Sequence, residues 1–323
     1  MAENSFNIRE VLAFSRIHTA SLTIPVLIIS ALLSGYSYPY IIGFAVFALL
    51  FHGVGFALNN IADYDYDVQD PYKKHFPLIT GKINYRNATM SDTIGLIIVA
   101  VYGMVLSHGV VSVVLLSLAI IFGIVYNFRN KTSKYAQIYI SLSFSLLIPY
   151  VMFGRDDTIV MILYTVFAFF TMMYQIGVSG YIKDVEVPQY NMMSAMGMKL
   201  IGGQIMFSQK NRTYAAILRI IVIISGAVVI YFGKNAIVYL IPFAMVQILT
   251  VIHGNKLVTT QRWIRNVMLK RMSMVEILNY MSIAVGLGAY YGPWWVIFLI
   301  VFPMVWFVSF NRIFYGTSMF PRV

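Results

Sequence analysis

Apolar stretches of membrane-spanning length recur along the chain, separated by short polar gaps. With a window of about 20 residues, they fall near 17–35, 39–61, 93–107, 110–127, 136–153, 158–181, 214–232, 236–253, 274–291 and 294–311. The third and fourth are divided only by His108 and Gly109, so the count is nine or ten. This pattern predicts an all-α fold: a polytopic membrane bundle of nine or ten transmembrane helices around a central cavity open to the cytoplasmic side. No long polar interval breaks the series between Ile17 and Phe310, so residues 1–323 are read as a single transmembrane domain.

Composition agrees with this reading. Hydrophobic residues make up 59% of the 323 and charged residues 11%, against roughly 25% charged in a soluble domain. The N-terminal segment carries two acids and lacks a small-residue cleavage pattern, so it does not read as a signal peptide and the first helix is expected to stay. With no cysteine in the sequence, disulfides and thiolate chemistry are excluded.

The formal charge of +11 would suggest nucleic acid in a soluble protein. Here the basic residues occupy gaps between apolar segments, where they set topology instead. With the N-terminus inside, 20 lysines and arginines fall on the cytoplasmic side and only Arg155 and Lys234 on the other, leaving Arg219 within a helix. That asymmetry predicts an even number of spans with both termini in the cytoplasm. The outer loops are minimal and the inner loops after the second, sixth and eighth spans are long, so polar chemistry is expected on the cytoplasmic face.

Acids are scarce, 12 in all, yet four fall within eight residues: Asp63, Asp65, Asp67 and Asp70. If the second helix continues to Asp70, where Pro71 would stop it, Asn59, Asp63 and Asp67 share one face at i, i+4, i+8. Carboxylates so placed repel one another, and a divalent cation relieves the repulsion. Magnesium commonly takes one or two protein carboxylates and completes its shell with phosphate oxygens and water, which makes a diphosphate the natural third party. The alternative is a solvated acidic loop at a membrane surface.

A second acid, Asp184, ends the sixth span 121 positions after Asp63, with Lys183 before it and Glu186 after. Two acidic helix ends on one face could meet across a bundle; otherwise Asp184 is simply satisfied by Lys183 or water. Lys74, Lys131, Lys134 and Lys183 are candidates to neutralise phosphate oxygens. The 23 Tyr and 23 Phe could stabilise a carbocation through their ring faces, although most are expected to face lipid.

At these residues the chain resembles the UbiA superfamily of intramembrane prenyltransferases. The family's first motif, Asn-x-x-x-Asp-x-x-x-Asp, is matched by Asn59, Asp63 and Asp67, and the stretch after it is similar to Lys74-His75-Phe76-Pro77-Leu78-Ile79-Thr80-Gly81-Lys82-Ile83. Ser15-Arg16-Ile17-His18-Thr19 is similar to the Ser-Arg-Pro-His-Thr of members that prenylate aromatic rings. The resemblance places Tyr126, Lys131 and Arg16 among the diphosphate-binding residues. The second motif, Asp-x-x-Asp-x-x-x-Asp, departs: Lys183 and Asp184 fit, whereas the later two positions are Val187, which has no donor oxygen, and Asn191, which has a carbonyl oxygen to offer.

The resemblance implies magnesium held by Asn59, Asp63, Asp67, Asp184 and Asn191, and diphosphate bound by Asn59, Lys74, Tyr126, Lys183 and Arg16. Asp63, Asp67, Asp184 and Lys131 are the catalytic candidates. The implied activity transfers a prenyl group from a prenyl diphosphate donor to a hydrophobic acceptor, such as an aromatic acid, a quinone precursor, a glycerol lipid or haem. A terpene cyclase and a non-catalytic lipid-binding paralogue remain the alternatives. The expected partners are the donor, the acceptor and the lipid bilayer, with no nucleic acid.

Overall fold

The computed structural model describes residues 8–155, 157–186, 190–234 and 237–316, and within them leaves aside the side chains of residues 234, 289 and 290. The chain runs through α1 (Ile8–Phe14), a 3₁₀ segment (Ile17–Leu22), α2 (Thr23–Leu33), α3 (Tyr38–Ala62), the single turn α4 (Tyr64–Asp67), α5 (Tyr85–Leu106) and α6 (Val110–Arg129). It continues through α7 (Ala136–Ser145), α8 (Leu147–Met152), α9 (Thr158–Tyr174), a π-turn (Gln175–Gly180), α10 (Tyr181–Lys183) and α11 (Met192–Ala195). A hairpin, β1 (Lys199–Ile201) and β2 (Gln204–Met206), then precedes α12 (Gln209–Lys234), α13 (Leu240–Thr259), α14 (Arg265–Gly286) and α15 (Gly288–Tyr315).

All ten apolar segments form helices, although fewer meet a strict criterion for spanning. Among the described residues, seven helices are long and apolar enough to cross a bilayer, or eight if the pair Ile8–Phe14 and Ile17–Leu33, bent by 58°, is one span. The two remaining segments fall outside it for different reasons. Ala136–Met152 is short, and α14 carries Arg265, Lys270, Arg271 and Glu276.

Helices form here because lipid offers the backbone no hydrogen-bond partners, so each apolar run must satisfy its own. On α3 the buried positions Ile41, Phe44, Ala48 and His52 recur every three or four residues, while Ile42 and Val46 face outward. Small residues bring neighbouring helices close: a side-chain carbon at Gly103 of α5 would stand 2.5 Å from Leu116 of α6 and 2.8 Å from Phe47 of α3. Buried hydroxyls tie helices together, as where Tyr150 donates to the Gly103 carbonyl at 2.9 Å and Ser143 to the Ala119 carbonyl at 2.7 Å. Such bonds are worth about 0.6 kcal/mol each in membrane bundles.

Two ends of the bundle can be distinguished. At one, the links after α2, α5 and α8 converge: Tyr36 stacks on His108 with 5.2 Å between ring centroids and lies 4.2 Å from the Arg155 guanidinium carbon. The opposite end holds the acidic segments. There Gly202 and Gly203, at φ +55° and +74°, make the tight two-residue hairpin turn. Ile205 donates to the Gln261 carbonyl at 2.7 Å and Trp263 to the Gly203 carbonyl at 3.0 Å, so the hairpin ties the loop after α10 to the entrance of α14.

Candidate active site

Helical hydrogen bonding carries on from α3 into α4, but not in a straight helix reaching Asp70. Asp63 donates its N–H to Asn59 and Asp67 donates to Asp63, both at 2.9 Å, which keeps the i, i+4, i+8 spacing. Asp63 itself adopts φ −88°, ψ 0°, and the chain bends there. Past Asp67 the segment turns away: Asp70 accepts the N–H of Tyr72 at 2.9 Å, closing a local Asx-turn. Asp65 is exposed and takes no part.

Asp63 and Asp67 are 3% and 4% exposed. Buried charges of this kind require partners. Lys73 Nζ lies 2.6 Å from Asp67. Asp63 accepts from Asn130 Nδ2 at 3.2 Å and lies 3.7 Å from Lys131 Nζ. The same Lys131 Nζ is 3.9 Å from Asp184, at the end of α10, so one ammonium group stands between the two acidic segments. Lys183 Nζ is also 3.9 Å from Asp184.

These charges set one another's ionisation. Burial pushes the Asp63 carboxyl above the usual range, with Lys131 opposing. Burial works to lower the Lys131 ammonium, but Asp184, Asp63 and Asp67 outweigh it and hold the group above its ordinary value. Asp184 is also subject to burial, which would raise it; Lys183, Lys131, Lys73 and Arg265 pull it down to about 2.

The remaining sequence candidates divide. Asn59 is half-buried on the last turn of α3, one turn before Asp63. Tyr126, near the end of α6, lies within electrostatic reach of Tyr181, Asp63 and Asp184. Arg16 sits in the left-handed region at φ +44° and donates through Nη2 to Asn60 at 2.7 Å, with Phe56 and Phe76 flanking its guanidinium at 5.3 and 5.7 Å. A non-glycine residue held at positive φ is a strained placement of a kind that gathers at functional sites. Arg16 is thereby presented to the end of α3.

Lys74 is exposed, and Lys134 packs 4.9 Å over the ring of Tyr135. Asn191 is buried, but its Oδ1 accepts the N–H of Ser194 at 2.9 Å in a capping box that starts α11. Val187 lies outside the described residues. Glu186 accepts from Arg265 and from the Tyr72 hydroxyl, each at 3.4 Å, and Arg265 stacks 4.0 Å over the Tyr72 ring. That contact straps the first acidic loop to the second and to α14.

Sequence reasoning passed over Lys73, Asn130, Asn60 and the Tyr72–Arg265 pair. Lys73 and Asn130 are immediate neighbours of predicted residues, so the signal was one of position and not of composition. The donor set is wholly oxygen, as a hard divalent cation requires. Among the described residues no cluster of three or more His, Cys, Asp or Glu side chains would hold a metal on its own.

The sequence profile of the UbiA prenyltransferase family matches residues 22–275. A UbiA homolog from Aeropyrum pernix K1, solved in its apo form, superposes with a TM-score of 0.65 at 15% identity, covering 85% of this chain and 98% of that one. A UbiA homolog from Archaeoglobus fulgidus bound to DMAPP and Mg2+ gives 0.65 at 16% identity, over 87% of this chain and 99% of that one. A digeranylgeranylglyceryl phosphate synthase gives 0.64 at 14%, over 91% and 99%. No match was found among curated proteins. At these identities the structural likeness speaks for the fold alone, whereas the profile spans well over half of the sequence and includes both acidic segments: the chain is a multi-pass membrane protein that belongs to the UbiA prenyltransferase family.

Proposed function

We propose that this chain transfers a prenyl group from a prenyl diphosphate to a hydrophobic acceptor, with magnesium, at the end of the bundle where Asp63, Asp67 and Asp184 meet. The observation that carries this reading is the position of Lys131, whose single Nζ lies 3.7 Å from Asp63 and 3.9 Å from Asp184. A cation can therefore be shared between the two acidic segments. The relatives add support: homologs from Archaeoglobus fulgidus were solved with DMAPP or GPP and Mg2+.

The charge balance favours a substrate that brings its own cation. Three carboxylates (Asp63, Asp67, Asp184) face three ammonium groups (Lys73, Lys131, Lys183) within 2.6–3.9 Å. A site already neutral in this way has little reason to take up a bare divalent ion, but it can accept a magnesium diphosphate, with lysines turning to phosphate oxygens as carboxylates turn to the metal. Asn59, Asp63, Asp67 and Asp184 would hold the metal, which neutralises the charge developing on the leaving diphosphate. Lys73 takes the phosphate-binding place expected of Lys74. Lys131, Lys183 and Arg16 complete the positive lining.

Loss of diphosphate leaves an allylic cation, which bulk water would quench. Asp63 and Asp67, at 3% and 4% exposed, give the first segment the dry surroundings that such a cation needs. The residues 1–323 form one such transmembrane domain in this reading. Of the nine or ten spans, the 20-to-2 distribution of basic residues between the two sides favours an even number, with both termini and the opening of the site on the cytoplasmic side.

The full chain in detergent, supplied with labelled prenyl diphosphates and magnesium, should release diphosphate. Asp63→Ala or Asp67→Ala should lower that release by about 10²–10³-fold or more while leaving the size-exclusion profile unchanged. Turnover retained by either variant would remove the metal-site assignment.

A further inference from the structure

Lys131 stands 3.7 Å from Asp63 and 3.9 Å from Asp184, and Lys183 stands 3.9 Å from Asp184. These three contacts are too long to be hydrogen bonds, and each ammonium ends a flexible four-carbon stem. They do not lock one acidic segment to the other. When a diphosphate enters, the same lysines turn to it, so a spacing that depended on them alone would be lost at the moment it is needed.

A neutral contact joins the two segments just beneath the charges. Six residues after Lys131, in the first turn of α7, Gln137 is 0% exposed. Its Oε1 accepts the hydroxyl of Tyr181 at 3.0 Å, and Tyr181 opens α10, three residues before Asp184. On the other side of Lys131 a second bond crosses to the same loop, where the Lys131 carbonyl accepts the Tyr190 N–H at 3.1 Å. The backbone that carries Lys131 is thereby bracketed.

The π-turn lies hard against this contact. A side-chain carbon at Gly177 would stand 3.1 Å from Gln137 Cγ and 3.1 Å from the Tyr214 hydroxyl oxygen, so glycine there lets the widened turn approach α7 closely enough for Tyr181 to reach Gln137. Packing alone does not call for a glutamine at this place. Among the described residues its Nε2 has no hydrogen-bond partner, an unpaired buried donor that costs stability and that an apolar side chain of similar size would avoid.

We infer that Gln137 and Tyr181 are positioning residues, whose buried hydrogen bond sets the separation of Lys131 from Asp184 and with it the gap that a magnesium diphosphate bridges. Each acts through the charged residue a few positions away on its own segment. The bond is uncharged and points away from the phosphates, so it persists while the ion pairs rearrange. Precision of this kind matters, because a misplacement of about 1 Å can cost about 10²-fold in rate. The inference deepens the prenyl-transfer reading and rests on it for what the aligned groups bind.

The test uses the full chain in detergent and an unreactive prenyl diphosphate analogue with magnesium, followed by calorimetric titration, alongside diphosphate release and melting temperature. Tyr181→Phe removes a single oxygen atom and should weaken the analogue and lower turnover at least tenfold. Tyr181→Phe combined with Gln137→Leu replaces both partners by apolar groups, which restores stability lost when one polar partner is left alone. Its melting temperature should return to that of the unmodified chain while the tenfold losses remain. In a chain already carrying Asp184→Asn the group being positioned is gone, and adding Tyr181→Phe should change analogue affinity by less than twofold. Full affinity and turnover in Tyr181→Phe, recovery of function together with stability in the double variant, or an undiminished tenfold loss in the Asp184→Asn background overturns the inference and leaves the donor-site reading standing. Tyr181→Phe and the Asp184→Asn background decide the matter even if the double variant does not fold. Failure of the unmodified chain to bind the analogue overturns the donor-site reading, and the inference falls with it.

Discussion

Asp63 and Asp67 stand on a turn hydrogen-bonded straight on from a 25-residue helix and are 3% and 4% exposed. Asp184 follows a π-turn and a three-residue helix, and its side chain is 24% exposed. Two other polar groups of that second loop are engaged in holding the loop itself, Glu186 on Arg265 and Tyr72, Asn191 on the start of α11. The two acidic segments therefore contribute unequally. The first supplies a fixed pair of carboxylates, desolvated enough that Asp63 is pushed toward the neutral form. The second supplies one carboxylate, kept ionised by the cations around it. π-turns recur at functional sites because the extra residue re-aims the side chains beyond it, and here it directs Lys183 and Asp184 toward the first segment.

If the first segment bears most of the binding, the lysine that partners it should matter far more than its neighbour. Lys73→Met removes the Nζ 2.6 Å from the buried Asp67, and should weaken an unreactive magnesium–prenyl diphosphate analogue and lower turnover by about 10²-fold. Lys74→Met, at an exposed position, should leave both within about 0.5 kcal/mol of the unmodified chain. Isothermal titration and diphosphate release decide it, and a reversed ranking would return the phosphate-binding role to Lys74.

The pH dependence sharpens the same contrast. If Asp63 holds the metal it must do so ionised, and its folded pKa is raised, so activity should fall as pH drops through that raised value, well before Asp184, at about 2, begins to protonate. Lys131 opposes the rise at Asp63. Lys131→Gln should therefore move the acid limb of the activity profile to higher pH, besides lowering the plateau by roughly tenfold. A limb that stays in place, or moves to lower pH, would show that a group other than Asp63 sets it.

Much of this contrast was legible in the sequence, and the part that was not has physical causes. Each apolar run became a helix because a bilayer leaves the backbone no other choice, and the i, i+4, i+8 spacing of Asn59, Asp63 and Asp67 survived the bend at Asp63 because the i to i+4 hydrogen bonds persist. Lys73 and Lys74 could not be told apart, since they lie between Pro71 and Pro77 in a run of turns with no helical or strand period to assign a face. The kink that lifts Arg16 to φ +44° joins two apolar helices bent by 58°, and no glycine or proline at residue 16 announces it. The hairpin did have a signal in Gly202-Gly203 flanked by Lys-Leu-Ile and Gln-Ile-Met. It was easily passed over within a loop between membrane spans.

Asn191 offers the finest break in the comparison, because two roles for one oxygen predict different variants. Its Oδ1 accepts from Ser194 N at 2.9 Å while the Ser194 hydroxyl accepts from Asn191 N at 3.0 Å, a reciprocal box at the start of α11. The Asn211 amide donates to the Met193 carbonyl at 2.9 Å, so the box also anchors α11 to α12. Replacing a capping Asn by Ala typically costs about 1 kcal/mol, whereas Ser and Asp cap as well as Asn does. Asn191→Ala should accordingly lower the melting temperature by a few degrees and leave magnesium-dependent turnover within about twofold, and Asn191→Ser should restore stability in full. If Asn191 instead lends its carbonyl oxygen to the metal, Asn191→Ser would stay stable yet lose magnesium affinity, and Asn191→Asp would bind magnesium more tightly than the unmodified chain. Titrating magnesium against the analogue-bound protein for all three variants separates a second loop that merely holds its shape from one that adds a further ligand to the site.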